Sequence, residues 1–191
     1  MTSLPWSGVV LAGGSSRRFG RTKALAPIGA VPLIRRSLDA LSEAGPDELY
    51  IVGGDAPGLA DLGCAVEADR WPGEGPLGGI VTALGLARCE RVVVWSCDLV
   101  SPSPALASGL LVHLEEAEAE VAVPRLDGRP QVLCSAWRRA ARSVLEQAFV
   151  EGTRAPVQVL ARLEVVEVEG FEPEWMRDAD RPEDLERYAS S

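Results

Sequence analysis

The sequence predicts an α/β fold, a three-layer sandwich built on a mainly parallel sheet. Two observations predict it. Short apolar runs rich in Val, Ile and Leu alternate with stretches whose apolar residues recur at helical spacing. Several of those runs are continuously apolar, as suits strands covered on both faces. Strands alternating with helices pack as one sheet between two helical layers.

The elements follow in order. Gly8-Val9-Val10-Leu11-Ala12 reads as a buried strand that stops at Gly13-Gly14. Residues 13–24 are rich in Gly, Ser and Arg and read as a loop. Pro32 opens a helix with Leu33, Ile34, Leu38 and Leu41 on one face, and Gly45-Pro46 ends it. Residues 49–52 form the next strand, closed by Gly53-Gly54, and residues 64–66 a weaker one. A Gly/Pro loop over residues 69–79 leads into a small-residue helix over 77–87. Residues 92–95 are a strong strand ending at Ser96-Cys97-Asp98. Residues 102–118 read as a helix with Leu106, Leu110, Leu111 and Leu114 inward. Strands are expected at 121–123 and 132–137, with a turn at Asp127-Gly128-Arg129-Pro130 between them. Helices are expected at 138–150 and 156–163, a late strand at Val165, Val166 and Val168, and a terminal helix from Arg181-Pro182.

At 191 residues the chain suits one domain, expected to span residues 1–191. Its 47% apolar and 25% charged content is that of a soluble globular protein. No apolar run approaches the roughly 20 residues of a membrane span. Residues 1–5 carry no basic region or signal-like apolar core, so a cytoplasmic protein is expected. No two of Cys64, Cys89, Cys97 and Cys134 stand as CxxC, and His113 is the only histidine. Free thiols are the expectation, not a zinc site.

A net charge of −9 argues against general nucleic-acid binding. Yet Arg17, Arg18, Arg21 and Lys23 are concentrated in one short stretch, and Lys23 is the only lysine among 19 basic residues. That stretch reads Leu11-Ala12-Gly13-Gly14-Ser15-Ser16-Arg17-Arg18-Phe19-Gly20-Arg21-Thr22-Lys23. It has neither P-loop nor GxGxxG spacing. Its glycines allow backbone N–H groups close to an anion, and Arg17 or Arg18 with Lys23 can neutralise phosphates. Ligands of parallel sheets bind beyond the C-terminal ends of the strands. Attention falls on three such ends: Ala12-Gly13-Gly14, Val52-Gly53-Gly54 and Ser96-Cys97-Asp98. Asp98 there is either a metal ligand or a helix N-cap, and Ser101 and Ser103 are available to cap instead. Trp71 either lines a pocket or packs, Cys97 is a packing residue, and His113 is a surface or edge residue of its helix.

The loop LAGGxSRRFGxxK resembles the signature of the molybdenum cofactor guanylyltransferase family, within the wider nucleotidyltransferase superfamily. The resemblance extends along nearly the whole chain. Gly75-Pro76-Leu77-Gly78-Gly79-Ile80 is similar to that family's GPLAGI, and Cys97-Asp98 to its CDxP. Asp127-Gly128-Arg129 with Pro130-Gln131 resembles its acceptor-side turn, and Asp178-Ala179-Asp180-Arg181-Pro182-Glu183-Asp184-Leu185 its N-x-N-TPEDL. This implies a Rossmann-like nucleotidyltransferase fold. It also implies that Leu11, Ala12, Gly13 and Gly14 bind base and ribose, and that Lys23 contacts phosphate with Arg17 or Arg18. Asp69 would hold the nucleotide and Asp98 would bind Mg²⁺. LAGG accompanies guanine, whereas LAAG is common among cytidylyl relatives, and Gly14 leaves room where an alanine methyl would intrude. The resemblance thus implies transfer of GMP from GTP to molybdenum-molybdopterin, a phosphorylated pterin. Proteins of the molybdenum cofactor pathway would be partners, with neither nucleic acid nor membrane involved. The chain departs from the family where Leu99-Val100 replaces the usual Pro after the metal Asp, and where Asp178 and Asp180 replace the asparagines. A guanylyl- or cytidylyltransferase with another acceptor, such as phospholactate or a sugar phosphate, and a nucleotide-binding module without catalysis are the competing readings.

Overall fold

The computed structural model describes residues 4–13, 23–54, 56–179 and 182–189. Strand β1 is Trp6–Leu11, followed after the glycine-rich segment by a small hairpin, β2 (Pro27–Ile28) and β3 (Val31–Pro32). Helix α1 (Leu33–Ala44) ends at Gly45, whose left-handed φ of 79° is the glycine-type helix stop. Strand β4 (Glu48–Val52), the short α2 (Ala56–Leu59) and β5 (Ala65–Glu67) come next. Helix α3 (Pro76–Leu86), β6 (Arg91–Ser96) and α4 (Pro104–Glu116) form the centre of the chain. Strands β7 (Val121–Leu126), β8 (Arg129–Pro130) and β9 (Cys134–Arg138) precede α5 (Arg142–Val150), β10 (Val165–Val168) and α6 (Pro182–Ala189).

The main sheet runs β10-β7-β9-β6-β1-β4-β5, with β8 attached to β7. Strands β5, β4, β1 and β6 are mutually parallel. Strand β9 is antiparallel to both β6 and β7, so β7 and its parallel neighbour β10 recover the direction of β6. The mainly parallel sheet is therefore interrupted by the reversed strand β9, and the short β8 is likewise antiparallel to β7. On one face Val10, Ile51, Val93 and Trp95 pack with Ile34, Leu38, Leu106 and Leu110 of α1 and α4. On the other, Val9, Leu11, Val92 and Val94 pack with Leu77, Ile80, Leu84 and Leu145 of α3 and α5. Alternate residues of β1 and β6 thus supply two cores, which is the three-layer sandwich the sequence predicts.

Several boundaries differ from expectation for identifiable reasons. Helix α4 starts at Pro104 because Ser103 caps it, its hydroxyl accepting from Ala105 N–H. Residues 138–150 begin as a 3₁₀ turn, Arg139–Ala141, before α5. Residues 156–163 wind as a 3₁₀ helix, Pro156–Arg162. Val132 and Leu133 lie in a turn, so β9 starts at Cys134. The turn at Asp127-Gly128 joins β7 and β8 with both residues at positive φ, as a two-residue hairpin requires.

Charge also ties the layers together. Arg91 and Arg138 face each other across β6 and β9, and both reach Glu115 of α4 at 3.4 Å. At the start of β4, burial alone would raise the Glu48 carboxyl. Hydrogen bonds from Ser7 Oγ, Arg88 N–H and the Arg88 guanidinium outweigh it and hold the group below its usual 4.5. A depressed carboxylate adds stability that is complete above its unfolded value and is lost as pH falls through the folded one. Glu48→Gln should therefore flatten the acid limb of the stability curve below about pH 4.5, measured by urea titration at each pH. A limb as steep as in the parent protein would remove Glu48 from that account.

Candidate functional site

The three strand ends that the sequence singles out converge. Ala12 N–H donates to Val52 O at 2.9 Å, and Cys97 N–H donates to Leu11 O at 3.1 Å. Chain beyond β1 is thereby held between the ends of β4 and β6. Leu11 and Ala12 are 7% and 6% exposed, their side chains belonging to opposite cores. Any ligand contact they make is through the backbone, whereas Gly13 is exposed. Gly53, at φ +77°, packs on it so closely that a Cβ would stand 3.3 Å from Gly13 N and Cα. Gly14, Arg17 and Arg18 lie outside the described residues, as does Asp180.

Lys23 and Asp98, 75 residues apart in sequence, meet at the end of β6, with Nζ 2.7 Å from Oδ2. Their side chains are 17% and 21% exposed, so the pair is largely withdrawn from water yet open on one side. Asp98 Oδ1 accepts a hydrogen bond from Ser96 Oγ. Ser96 is itself tied to the helical layer, its carbonyl accepting from the buried Ser37 hydroxyl at 3.0 Å. Asp98 does not cap α4; Ser103 does.

The C-terminal segment closes over this corner. Leu99 bridges Asp178, Val100 N–H donates to Arg177 O at 2.9 Å, and Ala179 N–H donates to Asp98 O at 3.0 Å. Ala179 and Leu185 join Ile28, Leu33 and Val100 in a third small core. Asp178 is exposed, and its charge, like that of Asp98, adds to burial in raising the Cys134 thiol. Asp178 and Asp98 therefore share one neighbourhood. Cys97 is buried; burial, with Asp98 beside it, pushes its thiol up to about 12 against a partial offset from Lys23. It is a neutral packing residue at ordinary pH. All four cysteines are free, and His113 is exposed on α4.

Asp69 lies just beyond β5. Its Oδ1 accepts from Trp71 N–H at 3.1 Å and from Thr82 Oγ1 at 2.8 Å. A Cβ at Gly13 would lie 3.9 Å from Oδ2, so this carboxylate faces the exposed end of β1. Trp71 packs on Phe149 with ring centroids 4.8 Å apart, and Arg70 stacks over it at 4.7 Å. Packing is its observed role. Gly78 lets α3 approach closely, since a Cβ there would stand 3.2 Å from Phe149. The supporting hydroxyls of Ser37, Ser96 and Thr82 carry no motif. Only a buried-strand or helix pattern interrupted by one polar residue marks them.

Known proteins share this fold and much of this sequence. The family model of the MobA-like NTP transferase domain matches residues 8–167. A "probable molybdenum cofactor guanylyltransferase" of Carboxydothermus hydrogenoformans is 34% identical over 143 residues, covering 74% of this chain and 70% of that protein. One of the same name from Bacillus licheniformis is 32% identical over 189 residues and 93% of each chain. The crystal structure of molybdopterin-guanine dinucleotide biosynthesis protein A from Archaeoglobus fulgidus superposes with a TM-score of 0.81 at 25% identity. It covers 96% of this chain and 97% of that one. With the match spanning most of the chain, this protein belongs to the MobA-like NTP transferase family.

Proposed function

We propose that this nucleotidyltransferase is a molybdenum cofactor guanylyltransferase, which moves GMP from GTP to a phosphate of molybdenum-molybdopterin. The observation that supports it most is the Lys23–Asp98 pair at the end of β6, the strand that pairs with β1. A phosphate oxygen of the acceptor attacks the α-phosphorus of GTP. A new P–O bond forms as the α–β bridging bond breaks, and the electron pair leaves with pyrophosphate. The attacking oxygen is already anionic, so no strong base is needed, and the protein must mainly align and neutralise. Gly13 and Gly14 bring backbone to the nucleoside. Asp69 accepts from it, Lys23 neutralises phosphate, and Arg17 or Arg18 assists.

Mg²⁺ suits the donor set. The Asp98 carboxylate and Ser96 hydroxyl are hard oxygens, and the thiol next to them is buried and protonated. Asp98 would hold the ion, which supplies positive charge to the triphosphate when bound.

Thermal-shift screening of nucleoside triphosphates with Mg²⁺ tests this reading. GTP at 100 times its dissociation constant should stabilise the protein by about 2.7 kcal/mol, and CTP by less. No stabilisation by any triphosphate would refute it.

A further inference from the structure

The hydroxyl of Thr82 is a polar group in an otherwise apolar stretch of helix α3. Thr82 sits on α3, is 4% exposed, and is surrounded by Ile80, Val81, Ala83 and Leu84, all buried. Its oxygen accepts from Arg70 N–H at 3.2 Å. Its single proton has two acceptors in reach, Gly78 O at 3.0 Å and Asp69 Oδ1 at 2.8 Å. A hydrogen bond to a charged carboxylate is stronger than one to a neutral carbonyl, so the proton goes to Asp69. Trp71 N–H is the second donor to the same oxygen. Oδ1 is thus consumed inside the protein, while Oδ2 turns toward Gly13.

From this we infer that Thr82 is a positioning residue for nucleotide recognition, fixing Asp69 so that Oδ2 is presented to a donor of the bound nucleoside. The inference rests on the nucleotide-binding reading above. Asp69 lies at the start of an exposed Gly/Pro loop, where a carboxylate without an anchor would sample several rotamers. Helix α3 supplies the anchor because Leu77, Ile80 and Leu84 pack it in one core with Leu11 of β1, the strand that leads into Gly13. Helix, carboxylate and glycine backbone then form one unit, assembled before the ligand arrives. The donor is the exocyclic amine of the base or a ribose hydroxyl, since both present a hydrogen to a carboxylate oxygen.

Thr82→Val keeps the shape and removes the hydroxyl. Immobilising one side chain on binding costs about 0.5–1.5 kcal/mol, so the GTP dissociation constant measured by calorimetry should rise up to about tenfold. Turnover at saturating GTP should stay within about twofold, because ground-state and transition-state binding are lost together. Thr82→Ser should restore GTP affinity, and Thr82→Ala gives a second test should the valine variant fail to fold. In an Asp69→Ala background Thr82→Val should change GTP affinity no further. Inosine triphosphate lacks the amine and 2′,3′-dideoxy-GTP lacks the hydroxyls; the Thr82→Val penalty should shrink on whichever lacks the donor. Unchanged GTP affinity in Thr82→Val, an undiminished penalty in the Asp69→Ala background, or an undiminished penalty on both analogues would overturn the inference. Failure of the parent protein to bind any triphosphate would instead remove the functional reading beneath it.

Discussion

Lys23→Ala is expected to lower turnover by about 10²–10³-fold, the range seen when one pre-aimed electrostatic contact is removed. Lys23 is the only lysine in a chain whose other basic residues are arginines, and it stands 2.7 Å from Asp98. An ammonium is a compact point charge that fits beside one carboxylate oxygen, whereas a guanidinium needs a wider planar space. Lys23→Arg should therefore recover only part of the loss. The pair is about four-fifths withdrawn from solvent, between the exposed and the buried regimes. Loss of the ammonium should cost about 1–2 kcal/mol of stability, well below what would unfold a domain of ordinary stability. Steady-state kinetics with a urea titration alongside separates the two effects, and unchanged turnover would refute the role given to Lys23.

Asp98→Asn is expected to abolish Mg²⁺-dependent turnover. The amide keeps the size of the carboxylate and can still accept from Ser96, and the backbone bond from Ala179 to residue 98 is untouched. What disappears is the negative charge that balances Lys23 and would hold a hard cation. Turnover measured against Mg²⁺ concentration reads this directly. Full activity with the parent's Mg²⁺ dependence would move the metal elsewhere, with Asp178 the next residue to test because it neighbours the same corner.

Both predictions concern residues that the sequence singles out before any fold. Lys23 and Asp98 follow β1 and β6, apolar runs whose termination by glycine or by Ser-Cys-Asp marks strand ends. The order of helices and strands was legible for the same reason: apolar periodicity is a local property of the chain. Direction was not. Cys134–Arg138 is as buried as a parallel strand and reads as one more apolar run, yet it pairs antiparallel with both neighbours. The β2–β3 hairpin escaped notice because two-residue strands carry no period. The 3₁₀ character of Pro156–Arg162 escaped it because Val157, Val159 and Leu160 fit helical spacing, while only Pro156 and Val159 are buried.

The sequence by itself determined the layers, the order of the elements and the residue types at the strand ends, since each depends on neighbours along the chain. Tertiary structure alone decided the partnerships: Lys23 with Asp98, Thr82 with Asp69, Asp178 with Leu99. These join residues many positions apart. Their geometry follows from how α3, the β6 end and the C-terminal segment dock on the sheet, a matter of close packing that no local pattern encodes.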